Sequence, residues 1–152
     1  MNLPRILHAE ISRRAEGWRD HIVQATGAEA QRRAERAAAD IALWLRLANQ
    51  LGWSTIPPLP PIEIAGALAR TLATIDPAEP LRDAADWQSA QASVAQSLSR
   101  ARVAAWADEA HVIENRRLYA RFTGLRTIAR ALAHAAAAHA ARTAPEPQQE
   151  AA

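Results

Sequence analysis

The stretch from Leu81 to Arg142 runs for about sixty residues without a Pro, and its only Gly is Gly124. Ala, the strongest helix former, fills most positions between the larger side chains. A run of this kind has little choice but helix. The rest of the chain then has the task of covering its apolar faces.

The apolar stripe in this stretch does not stay on one face. Trp87, Val94, Leu98, Ala101 and Ala105 follow seven-, four- and three-residue steps. Trp106, Ala110 and Ile113 make a second short series. Leu118, Phe122, Leu125, Ala129, Leu132 and Ala136 make a third. At 3.6 residues per turn, each series lies roughly 110° around from the last. Supercoiling drifts only about 20° per heptad, too little to explain the rotation. Two readings follow: the helix breaks between Ala105 and Leu118, or one continuous helix is buried on different sides along its length.

Upstream, Pro4 sits where a first helical turn tolerates it. Leu7, Ile11, Ala15, Trp18, Ile22 and Ala25 step by fours and threes, which predicts an amphipathic helix. Thr26 followed by Glu29 has the spacing of a capping box and predicts the start of a second helix, although a helix continuous through Gly27 is the alternative. The seam of that second helix is Ala30, Ala34, Ala37, Ile41, Trp44, Ala48 and Leu51, close to a coiled-coil register. Gly52 is placed to end it. Four Pro among residues 57–61 favour an extended polyproline conformation and predict a rigid cross-over spanning 52–61. A ligand for an aromatic groove is the functional alternative for the same segment. A short helix follows over 62–75, and Asp76, Pro77 and Glu79 carry helix-start chemistry for the long stretch. Residues 143–152 hold two Pro and no large apolar side chain, as a frayed tail does.

The expected architecture is all-α. It is a bundle of four or five helices with one very long, continuous or broken, C-terminal helix over 81–142 and a Pro-rich cross-over. Residues 1–142 form a single domain, with 1–51 as its N-terminal helices. The 152 residues suffice for one core, but the single Phe, single Tyr and single Met leave five Trp as the bulky anchors. Ala-rich seams bury little area each, so self-association is expected. The anchors read as interaction residues are Ile41, Trp44, Trp87, Trp106, Leu118 and Phe122.

With no Cys, disulfides, thiolate metal sites and cysteine catalysis are excluded. That fits a reducing, cytoplasmic setting. The start of the chain lacks the apolar segment of a secretory signal, and no window approaches 18 uncharged apolar residues. No signal and no membrane span are therefore expected.

All eighteen basic residues are Arg. A GC-rich coding sequence gives that bias without any function, and bidentate contact to phosphate or carboxylate is the functional alternative. The net charge of +2 is unevenly spread, because residues 116–142 contain six Arg and no acid. Arg116, Arg117, Arg121, Arg126 and Arg130 flank the Leu118–Leu132 stripe. Such Arg stems cover apolar surface while their heads stay wet; the functional alternative is a phosphate-contacting surface.

Catalytic or metal-binding sets are sparse. His111 and Glu114 stand at i, i+3 and are weak candidates for a metal or proton-exchanging pair. No Glu-x-x-His, no His-Glu-x-x-His and no Gly-x-Ser-x-Gly occur, and without Lys there is no phosphate-binding P-loop. His8 near Glu10 and His21 near Asp20 read as surface pairs. Arg14 and His21 are separated by six residues, a spacing seen in some helical ribonuclease domains, but eighteen Arg generate such spacings by chance. His134 and His139, five apart, fall on different helix faces. No cofactor is indicated. The expected function is a non-enzymatic helical interaction or assembly protein that self-associates or docks on a larger protein complex. The alternative is a nucleic-acid-binding protein using the Arg-rich helix without sequence preference.

Overall fold

A computed structural model describes residues 2–53, 79–106 and 112–144, with Ala73 and Asp76; the side chains of residues 112–115 lie outside it. Four helices account for nearly all of this, and no strand occurs among the described residues. They are α1 (Leu3–Val23), α2 (Gly27–Gln50), α3 (Ala84–Trp106) and α4 (Val112–Thr143). The Pro-rich stretch, most of the 62–75 segment and the end of the tail fall outside the described residues.

Each helix end has a local cause. Asn2 caps α1 by accepting a hydrogen bond from the Arg5 amide at 3.2 Å, and Pro4 lies in the first turn. The chain breaks after α1, and Gly27 opens α2 at φ +59°, a conformation that other residues adopt at a cost. The two N-terminal helices are therefore not continuous. Thr26 occupies the cap position of α2, but its side chain makes no capping hydrogen bond. The expected capping box does not form, because Glu29 turns forward to Arg32 at 2.8 Å and Arg33 at 3.3 Å instead of back to the cap. These two guanidinium groups hold the Glu29 carboxyl below its usual range.

α2 ends in a Schellman motif. The Trp53 amide donates to the Ala48 carbonyl at 2.8 Å and the Gly52 amide to the Asn49 carbonyl at 3.0 Å, with Gly52 at φ +75°. Trp53 packs against the core as the motif's apolar partner.

The long Pro-free stretch is two helices. α3 begins at Ala84, later than Asp76–Glu79 implied, because a different acid pair sets its start. The Asp83 carboxylate accepts from the Asp86 amide at 2.9 Å, while Asp86 accepts from the Arg82 amide at 3.0 Å. Trp87, near the start of α3, stacks on His139, near the end of α4, at 5.2 Å. At the other end of the pair, Trp106 meets Phe122 edge-on at 5.1 Å. α3 and α4 are thus antiparallel, and this is why the stripe changes face: each helix turns its own seam toward the other.

The core joins the seams of all four helices. Leu7, Ile11, Trp44, Leu47, Val94, Leu125, Ile128 and Leu132 are almost wholly buried. Each such side chain contributes about 1.5–3 kcal/mol through burial. The predicted α2 seam is covered within this chain, since Ala34, Ala37, Ile41, Trp44 and Ala48 all lie in that core. α1 also crosses α4 closely, with Ile6 against Gly124. Before α3, Glu79 ties the chain to α2 through Arg46 at 2.7 Å and also pairs with Arg82.

Candidate functional site

Arg14 sits on the α1 face that meets α2 and α3. Its Nη1 donates to both carboxylate oxygens of Asp40 of α2, at 2.9 and 3.0 Å. Its other terminal nitrogen donates to the Ser97 hydroxyl and, at 3.4 Å, to the Ser93 carbonyl, both on α3. The group lies over the Trp44 ring, 4.5 Å from its centre. The second Asp40 oxygen also accepts from Trp18 Nε1 at 2.8 Å, and Trp44 Nε1 donates to the Ser93 hydroxyl at 2.8 Å. One arginine thereby fixes the relation of three helices.

A turn away, Glu10 is buried and both its oxygens receive hydrogen bonds from Arg121 of α4. Between these two pairs lies a groove of about 510 Å³, walled by α1, α3 and α4, with Asp40 of α2 at its edge. Arg13, Gly17, Trp18 and His21 face it from α1, and Gln96 and Arg100 face it from α3. Four arginines and two carboxylates line the groove, and Arg14 and Arg121 neutralise both acids. Arg13 and Arg100 are exposed and pair with nothing among the described residues. The remaining charge, aside from His21, is two positive groups facing one hollow.

A second feature lies at the far end of the α3–α4 pair. Trp106, Tyr119 and Phe122 form an aromatic cluster, with Trp106 6.0 Å from Tyr119 and 5.1 Å from Phe122. Trp106 is 59% exposed and Tyr119 53%, and Val103, one turn earlier on α3, is 68% exposed. Arg126 lies 5.5 Å from the Phe122 ring centre.

The sequence-derived candidates scatter across this frame. Ile41, Trp44, Trp87 and Phe122 are buried among this chain's own helices, and Leu118 is half-buried beside them. Of the six anchors, Trp106 alone is exposed. Arg116, Arg117, Arg126 and Arg130 are exposed. Arg121 is not free like these: the Glu10 pair holds it half-buried, and sequence distance concealed that partner. His8 does not share Glu10, because Glu10 faces α4. His21 meets the edge of Trp18 at 5.7 Å and lines the same groove as Arg14, whose guanidinium is committed elsewhere. His111 and the Glu114 side chain lie outside the described residues. Among the described residues, no three His, Asp or Glu gather in a way that would hold a metal.

Sequence reasoning passed over Ser97, Arg13 and Arg100. One signal was present: Ser97 stands on the seam Ala90, Val94, Ala101, a hydroxyl inside an apolar stripe. Compared with protein-family profiles, with curated proteins and with solved structures, the chain finds no match.

Proposed function

We propose that this chain is a non-enzymatic helical interaction protein that works through the exposed aromatic end of the α3–α4 pair. The observation that carries the reading is the patch of Val103, Trp106 and Tyr119, whose large apolar side chains are more than half exposed. Contiguous patches of this kind mark association surfaces more often than bare solvent-facing protein. Trp and Tyr are the side chains that most often dominate binding energy. The Ala-rich seams no longer argue for association, because the bundle covers them itself. The occupant assigned to the patch is a second copy of this chain.

Sedimentation velocity at micromolar concentration tests this. The parent is expected to sediment above its 16.5 kDa chain mass, and a Trp106→Ser, Tyr119→Ser variant at that mass with its helix content unchanged. A parent that stays monomeric would remove the self-association reading.

Polyanion binding is the second reading. It is supported by the exposure of Arg116, Arg117, Arg126 and Arg130 on one helix with no acidic partner among the described residues. Replacing Arg116 and Arg117 with Gln is the appropriate test, because replacing Arg121 would strand buried Glu10. Weak binding of single-stranded DNA in about 50 mM salt that falls steeply as salt rises supports this reading. Binding insensitive to salt or to the double substitution counts against it.

A further inference from the structure

We propose that the groove between α1, α3 and α4 is a binding site for a phosphorylated small molecule, with its phosphate held between Arg13 and Arg100. Three independent observations converge on it. The groove, of about 510 Å³, falls within the size range in which proteins hold small ligands. Its charge is uncompensated: the two carboxylates are spent on Arg14 and Arg121, which leaves Arg13 of α1 and Arg100 of α3 as cations without a partner among the described residues. Gly17 lines the groove without a side chain, and open space surrounds it.

The paired groups do not compete for the ligand. Arg14 is tied to Asp40 and Ser97, and Arg121 to Glu10, so they form fixed walls. Fixed walls leave little to reorganise on binding, which favours affinity. The two open guanidinium groups each present a planar fork that matches phosphate oxygens. Bringing two like charges to one hollow is unfavourable until an anion lies between them. Gln96 and His21 add hydrogen-bonding groups at the rim, and the partly exposed Trp18 ring gives one side of the groove a flat apolar surface.

This site is separate from the aromatic patch and from the exposed Arg of α4, so its test stands apart from theirs. The probes are inorganic phosphate and adenosine monophosphate, with sodium chloride at matched ionic strength as the control. Binding is read by the change in Trp fluorescence and by the rise in melting temperature, which follows from preferential binding to the folded state. Adenosine monophosphate and phosphate are expected to raise the melting temperature and sodium chloride is not. If adenosine monophosphate binds more tightly than phosphate, the ligand is a phosphate ester; equal affinity narrows it to the free anion.

The double variant Arg13→Gln, Arg100→Gln is expected to lose about ten-fold or more in affinity, with its circular dichroism unchanged. Gly17→Leu keeps every charge and adds bulk to the groove lining, and it is expected to bind adenosine monophosphate at least about ten-fold more weakly. Arg116→Gln with Arg117→Gln is expected to bind as the parent does. Three results would overturn the proposal: no response to either anion at about 10 mM, far above common ligand affinities; an equal response to chloride; or parent-like binding by both groove variants.

Discussion

Replacing Gly124 with Ala tests how closely α1 and α4 approach. In an exposed helix interior the change would stabilise by up to about 1 kcal/mol, since Gly is the poorer helix former. Here the new Cβ would lie 2.5 Å from Ile6 Cδ1 and 3.0 Å from Ile6 Cγ2. The first contact involves the far end of a side chain that can swing. The second involves a branch at Cβ, which cannot move without turning the whole residue. Overpacking of this kind costs about 1–3 kcal/mol. The expected net effect is a loss of about 1 kcal/mol. At a urea dependence of about 1–3 kcal/mol/M, that lowers the denaturation midpoint by a few tenths of a molar or more. Ile6→Val removes Cδ1, so the double variant is expected to lose less than the two single losses combined. Gly17→Ala is the matched control: it sits in α1 with open space around it, and it is expected to gain up to about 1 kcal/mol. If Gly124→Ala stabilises the protein as much as Gly17→Ala does, the close crossing of α1 and α4 is refuted.

Asp40→Ala leaves the Arg14 guanidinium with only Ser97 and the Ser93 carbonyl. A loss of roughly 2–3 kcal/mol is expected, below the value for a fully buried pair because the Arg14 and Asp40 side chains keep 14% and 20% of their exposure. Thermal unfolding checks it, and a midpoint within a degree of the parent would contradict the network. Glu29 has its pKa lowered from the model-compound value of 4.5 by Arg32 and Arg33. Its small contribution is therefore present above that value and is lost as pH falls through the lower folded-state value. An NMR titration of the Glu29 side chain is expected to show a midpoint below 4.5, returning toward 4.5 when Arg32 and Arg33 are replaced by Gln.

The helical character of the chain was legible because periodicity is local. The α2 seam could be read from Ala34 to Ala48, and the α1 face from Leu7 to Ala15. The end of α2 was equally legible, since Gly52 is one of few residues that adopt its backbone conformation freely. The start of α3 was harder. Asp76–Pro77 and Asp83 through Asp86 both resemble caps, and it is the hydrogen bonds of Asp83 and Asp86 that mark the start. The broken helix was visible as a rotation of the stripe from Ala105 to Leu118, but rotation alone does not separate a hairpin from a helix with several neighbours. The groove was the least legible part. Arg14 lies 26 residues from Asp40 and 83 from Ser97, and Glu10 lies 111 from Arg121. No local pattern encodes such pairings. In a chain with eighteen Arg, the two whose heads remain open to the groove have no distinguishing neighbours in the sequence.

The Arg14 network also has a consequence for the order of assembly. α1 with α2, and α3 with α4, are pairs whose contacts lie closer in sequence than those between the pairs, so closing them costs less chain entropy. Arg14 bonds to one member of each pair, so its hydrogen bonds are complete only when both hairpins have formed and met. If the hairpins form first, these bonds close last, between two halves already made. Interactions that form after the rate-limiting step chiefly govern how fast a protein comes apart. Arg14, like the Glu10–Arg121 pair that also joins the two halves, would then bear more on how fast the bundle comes apart than on how fast it forms.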